Sequence, residues 1–274
     1  MEESQDNIQY TKYLDRFEQV VSAMTALSKG SAGIPSPSSR HYWASVIFTR
    51  LTGSSVSLLL ILPRNRLSIA VFENWDFSAV ASLARNICEC CFAYFYLCAD
   101  ETGKDEWYCR WNIFNLHDCM RRLKLFHYLG STTEEINVFE TQADELRSRL
   151  MTNSYFNSLP ERVQQDCLKA RKLYLLSQDD ILKKMGIDIQ IFRGLYILWS
   201  SHVHSFPMGY YRTFKNNRGT GVENPAEKHH ICVAIEMCIK FIRCIAKAHL
   251  HLFPESAREI PEEGRQVLFG NQLF

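Results

Sequence analysis

One stretch limits what this chain can fold into more than any other: residues 76 to 97, where almost every position is small or apolar. Val80, Leu83, Ala84, Ile87, Cys88, Cys91 and Phe95 recur at three- and four-residue steps, the period of an α-helix. Asp76 stands where a helix N-cap belongs, because its carboxylate can accept a hydrogen bond from an orphan amide of the first turn. A helix with so few polar positions must be enclosed by other elements. Two charges interrupt it, Arg85 and Glu89, four residues apart and therefore on one face. A buried charge is costly unless paired and hydrogen-bonded, so this pair predicts a polar spot within an apolar core.

The rest of the chain supplies helices to surround it. Tyr10, Tyr13, Leu14, Phe17, Val21 and Met24 make an apolar stripe over 7–28. A Gly-, Pro- and Ser-rich loop follows, then a helix over 40–62 that stops at Pro63. The β-like run Leu67 to Phe72 has no second strand to pair with and reads as a connector. Further helices are expected over 105–129, ended by Gly130, and over 133–152, opened by Thr132 or Thr133 with Glu134 and Glu135. Others span 160–173, 178–185, and Asp188 to about Ser205 before Pro207. Residues 210–223 read as a basic, Gly- and Asn-rich loop, and Asn224-Pro225 starts a long helix that ends at Phe253. The expected class is all-α: a multi-helix bundle of eight or nine helices without significant sheet. Residues 1–254 are expected to form a single helical domain, and 255–274 a tail docked through Val267, Leu268 and Phe269.

The chain has 274 residues, 46% of them hydrophobic, enough for a sizeable core. A net charge of +1 excludes a global field that would draw nucleic acid or an acidic partner, so any basic surface must be local. Of the ten cysteines, Cys232, Cys238 and Cys244 are spaced six apart, about 600° round a helix. They read as small core residues in a reducing compartment rather than as zinc ligands or disulfides. The acidic, polar start is unlike a signal peptide, and the apolar part of 42–62 is too short to span a bilayer, so a cytoplasmic protein without a membrane partner is expected. No glycine-rich phosphate loop, Ser-His-Asp spacing or paired-aspartate signature appears, and neither metal nor cofactor is expected.

A second polar spot falls on the helix 188–205. Tyr196, Ser200 and His204 step by four and lie along one face. His202 is two positions from His204, so the two cannot grip one metal ion from this helix. One reading makes His204 a buried histidine bonded to a hydroxyl. The other joins it to Arg85 and Glu89 in one pocket, with imidazole as proton carrier, Glu89 as its orienter and Arg85 as anion binder. Arg212, Lys215 and Arg218, interleaved with Tyr210, Tyr211 and Phe214, form a candidate surface for unpaired RNA bases, extended by Arg121, Arg122, Lys124, Lys169, Arg171 and Lys172. The bland reading of these cations is a solvated face.

At these two stretches the sequence resembles the domain of unknown function 5677 family, over roughly 40–250. Residues 76–89 resemble its helix carrying a leucine, an arginine and a glutamate, and residues 196–204 resemble its Tyr, Ser and Val-His signature. Trp199 replaces a usual leucine, and Ala84-Arg85-Asn86 departs from the common Arg-Ser. The resemblance implies an all-helical fold in mostly bacterial owners, picks out Arg85, Glu89, Tyr196, Ser200 and His204, and supplies no reaction. By analogy, a helical bundle holding Arg, Glu and His also resembles HEPN domains, many of which are metal-independent ribonucleases of toxin and phage-defence systems. Their Arg-to-His spacing on one helix is matched by Arg110 and His117, by Arg121 or Arg122 and His127, and by Arg243 and His249, but not by His204, since Arg193 is too far away. Two functions follow: an RNA-cleaving or RNA-binding centre, or an interaction module, as a homo-oligomer or with a protein partner, whose Arg/Glu/His network locks helix packing.

Overall fold

The computed structural model describes residues 5–67, 72–214 and 218–270, the side chains of 212–214 excepted. The α-helices in chain order are α1 (Gln5–Ser31), α2 (Ser39–Ile61), α3 (Phe77–Tyr94), α4 (Lys104–Leu129), α5 (Thr133–Met151) and α6 (Ser154–Asn157). They continue with α7 (Glu161–Leu168), α8 (Gln178–Lys184), α9 (Ile189–Val203), α10 (Pro207–Phe214), α11 (Pro225–Leu252) and α12 (Glu262–Phe269). The class is all-α, and no strand occurs among the described residues. The chain divides into two compact units, Met1–Ala99 with Ile181–Phe274, and Asp100–Asp180.

In the first unit α3 is the element the others enclose. Asp76 Oδ1 accepts from the amides of Ser78 (2.8 Å) and Ala79 (3.3 Å), which fixes where the helix begins. At its far end the ladder loosens into a π-helical turn, Phe95–Ala99. The helix packs against α2, α9 and α11, and Val80, Ala84, Ile87, Cys88 and Cys91 are all buried. α1 covers α2 and α11. By length and composition α2 is long and apolar enough to cross a membrane; Ala44, Phe48, Leu51, Leu58 and Leu59 are buried inside the unit.

The second unit holds α4 to α7. Its core joins Cys109, Ile113 and Leu116 of α4 to Ala143, Leu146 and Leu150 of α5, with Phe156 and Cys167. A reciprocal capping box of Thr132 and Glu135 opens α5, and Gly130 ends α4 in the left-handed region at φ 66°. Buried Arg110 donates to Asp100 (2.8 Å) and Glu106 (2.5 Å).

Several local expectations are revised. The helix expected over 160–173 stops at Leu168, where Ala170 turns left-handed (φ 51°) and the Arg171 amide reaches back to Asp166 O at 2.8 Å. Pro207, read as a stop, instead opens α10, since a missing N–H costs nothing in a first turn. The expected loop 210–223 is therefore helical to Phe214. Residues after 253 form a 3-10 segment, Pro254–Glu259, and α12, both packed on α1. Glycine permits this approach: a Cβ on Gly264 would lie 2.9 Å from that of Ala23. Residues 68–71 of the β-like run lie outside the described residues; nearby, Trp75 N–H bonds Gly221 O (2.9 Å) in an isolated bridge. The described cysteines are all free, and all but Cys244 are buried.

One core histidine makes stability depend on pH. His249 is 0% exposed, stacks on Phe48 with ring centres 3.9 Å apart, and has Nδ1 2.9 Å from the Tyr94 hydroxyl. Burial pushes its pKa down to about 3, so the folded protein keeps it neutral. Below an unfolded value of about 6.5, only the unfolded chain takes up the proton, and stability falls as pH drops from there toward about 3. Between pH 7.5 and 5.0 this one group should remove about 2 kcal/mol. Denaturant titrations at the two pH values check this, and His249→Phe should flatten the difference; an equal slope in the variant would place the effect elsewhere.

Candidate functional site

α3 and α9 lie side by side and antiparallel, so rising numbers on one meet falling numbers on the other. Phe92 packs edge-on against Phe192 (5.5 Å), Glu89 meets Tyr196, Arg85 meets Tyr196 and His204, and Ser78 meets His202. Asp188 sets the start of α9 by accepting from the Ile191 amide at 2.9 Å. The four-residue steps of Tyr196, Ser200 and His204 then run along the face that meets α3.

The predicted residues come together. Arg85 Nη1 lies 3.1 Å from His204 Nε2, and Nη2 donates to the Tyr196 hydroxyl at 3.0 Å. That hydroxyl donates in turn to Glu89 Oε1 at 2.5 Å, and the Arg85 guanidinium sits over the Tyr196 ring, 4.7 Å from its centre. Arg85 Nε is 3.9 Å from Glu89 Oε1, so the direct ion pair is loose and the phenol carries the connection. Ser200 takes no part through its side chain: its hydroxyl donates to Tyr196 O at 2.6 Å, back-bonding the helix one turn earlier.

The spot is not sealed. The Arg85 side chain keeps 22% of its exposure and Glu89 42%, while His204, at the C-cap of α9, is exposed. The polar face of α3 therefore opens to solvent rather than being enclosed in the core. Burial, helped by the hydrogen bond to Glu89 and opposed by Arg85, raises the Tyr196 pKa, so at neutral pH the phenol stays protonated and remains a donor. Arg85 cannot accept a hydrogen bond, so His204 accepts through Nε2 and carries its hydrogen on Nδ1. The set thus presents a cation, an imidazole with a basic nitrogen and a phenol–carboxylate pair, drawn from one turn of α3 and about two turns of α9.

The expected RNA-facing residues fare differently. Tyr211 is 75% exposed on α10. Lys215 and the side chain of Arg212 lie outside the described residues. Arg218 does not face outward: it is buried, and its Nε donates to Glu227 Oε1 at 3.1 Å, because a buried carboxylate needs a charged partner. Among the Arg–His spacings, Arg110 is committed to Asp100 and Glu106, Arg122 to Asp118, and His249 is enclosed in the core.

Two features were not visible as sequence. His202 places Nδ1 2.9 Å from the Ser78 hydroxyl and its ring edge-on to Phe77 at 5.0 Å, and burial together with Arg218 lowers its pKa. Phe206, 53% exposed, holds its ring 5.4 Å from that of His204 because Ser205 turns left-handed (φ 53°) straight after the helix. No sequence signal links Ser78 to His202 across 124 residues. The end of the helix near Ser205 was legible, but a left-handed conformation at a residue other than glycine has no sequence signal there.

No curated protein and no solved structure matches the chain. A family model does, over residues 47–221, a span that includes every residue of the α3–α9 cluster. On that match, which covers well over half of its length, the chain belongs to the family of unknown function (DUF5677).

Proposed function

We propose that the α3–α9 cluster is the centre of a metal-independent ribonuclease acting on single-stranded RNA, in the manner the HEPN analogy implies. The observation that carries this reading is the 3.1 Å contact between Arg85 and an imidazole, His204, that stands open to solvent. A phosphodiester entering here takes the Arg85 guanidinium onto its oxygens, since the planar fork matches them. That shift frees the lone pair of His204 Nε2, which then removes the proton of the adjacent 2′-hydroxyl. The 2′ oxygen bonds to phosphorus as the bond from phosphorus to the 5′ oxygen breaks, and the imidazolium returns its proton to the leaving oxygen. The products are a 2′,3′-cyclic phosphate and a 5′-hydroxyl. Arg85 bears the charge that grows on the phosphorus oxygens, and Tyr196 with Glu89 sets its position. Exposed Phe206, Tyr210 and Tyr211 support the choice of single strands, whose bases stack on such rings. A toxin or defence role follows from the same analogy.

A second reading has one observation in its favour: the Tyr196 hydroxyl both accepts from Arg85 and donates to Glu89, as a packing lock between α3 and α9 requires. Incubating the full chain with end-labelled single-stranded RNA in excess EDTA separates the two. The ribonuclease reading expects fragments ending in 2′,3′-cyclic phosphate. RNA of varied sequence that stays intact leaves the lock.

A further inference from the structure

A cleft of about 760 Å³ opens in the first unit, between α1, the turn before α9 and the middle of α11. Met185, Ile187 and Met237 give it an apolar floor. Two arginines face it, Arg16 from α1 and Arg243 from α11. Arg243 is anchored by Nε, which donates to Leu268 O at 3.0 Å, and this leaves its terminal nitrogens uncommitted. Neither arginine has a carboxylate partner among the described residues. The acids of the cleft have partners other than the two arginines: Glu236 pairs with Lys240, which also lines the cleft (3.1 Å), and accepts from Tyr13 (3.3 Å), and Asp188 caps α9. The cleft therefore carries an excess of positive charge at one place, above an apolar floor.

We infer that this cleft binds a small amphiphilic anion, with a phosphate or carboxylate head held between Arg16 and Arg243 and an apolar body laid on Met185, Ile187 and Met237. The proposal is independent of the ribonuclease reading: it shares no side chain with the α3–α9 cluster. Like charges brought together are destabilising unless an anion joins them, and burial, then the neighbouring Arg16, lowers the Arg243 pKa. Bidentate capture of an oxyanion by a guanidinium fork relieves that repulsion. The size of the cleft falls within the range of small-molecule sites.

The test is calorimetric titration of the full chain with octyl phosphate and octanoate, with inorganic phosphate and octyltrimethylammonium as controls. Saturable one-to-one binding of one or both amphiphilic anions is expected, phosphate or carboxylate preference naming the head group. Inorganic phosphate should bind at least tenfold more weakly, and the cation should not bind. Arg16→Gln, at an exposed position with no ion-pair partner, should weaken the preferred anion about tenfold or more with an unchanged melting curve. Arg243→Lys keeps the charge but loses the fork and should weaken it as well. Arg85→Gln should leave this affinity unchanged. Absence of saturable binding by both anions, equal binding of the cation, or full affinity in Arg16→Gln would each overturn the proposal.

Discussion

Replacing His204 by alanine should lower RNA cleavage by about 10²- to 10⁴-fold, the range over which a positioned acid–base group acts. The same change should leave the thermal midpoint almost where it was. His204 is exposed and follows the last helical residue of α9, so its loss opens no cavity and unpairs no buried group. The readouts oppose each other in the two accounts of the cluster. A catalytic imidazole gives lost activity in a fully folded protein, and a packing lock gives a lowered midpoint with no activity to lose. Tyr196→Phe sharpens the contrast. It keeps the ring beneath the Arg85 guanidinium but removes the donor to Glu89, so Arg85 loses its orientation while His204 is untouched. Cleavage should fall in that variant too, by less than in His204→Ala. Full cleavage by His204→Ala would sink the assignment of the proton carrier.

Arg218→Ala should be among the most destabilising single changes in the chain, by about 3–5 kcal/mol, because it strands a buried carboxylate. Glu227 is 1% exposed, and its Oε1 would keep only the Gly219 amide at 3.0 Å. Arg218 also holds its guanidinium 5.8 Å from the Phe77 ring centre, at the start of α3, so the damage reaches the central helix. For a chain of this size the expected fall in melting temperature is on the order of 10 °C. Adding Glu227→Gln removes the stranded charge and should recover part of the loss. RNA affinity of the variant, measured below its new midpoint, should be unchanged. A variant that melts normally and binds RNA more weakly would return Arg218 to the surface role its basic, glycine-rich neighbourhood suggested.

These two residues mark what kind of information a sequence carries. His204 and Arg85 were both legible because each sits in a periodic apolar helix where a polar side chain demands a reason. Arg218 was misplaced because its setting, a run of Gly, Asn and basic residues, signals exposure, whereas its burial depends on Glu227 in another element. The same limit explains α10 and α12. Each is eight residues long, too short for periodicity to stand out, and α12 is held by packing on α1.

The amino-acid sequence alone determined the all-α class, the main helices with their Asp76, Asp188 and Asn224 caps, and the membership of Arg85, Glu89, Tyr196 and His204 in two helical faces. Those are local properties, set by a 3.6-residue period and by hydrogen bonds within a turn. Only the tertiary structure decided that the two faces meet antiparallel, that Tyr196 rather than Glu89 bridges to Arg85, and that the imidazole faces water. Contacts between residues more than a hundred positions apart are fixed by how whole helices pack, and that depends on every side chain in the interface at once.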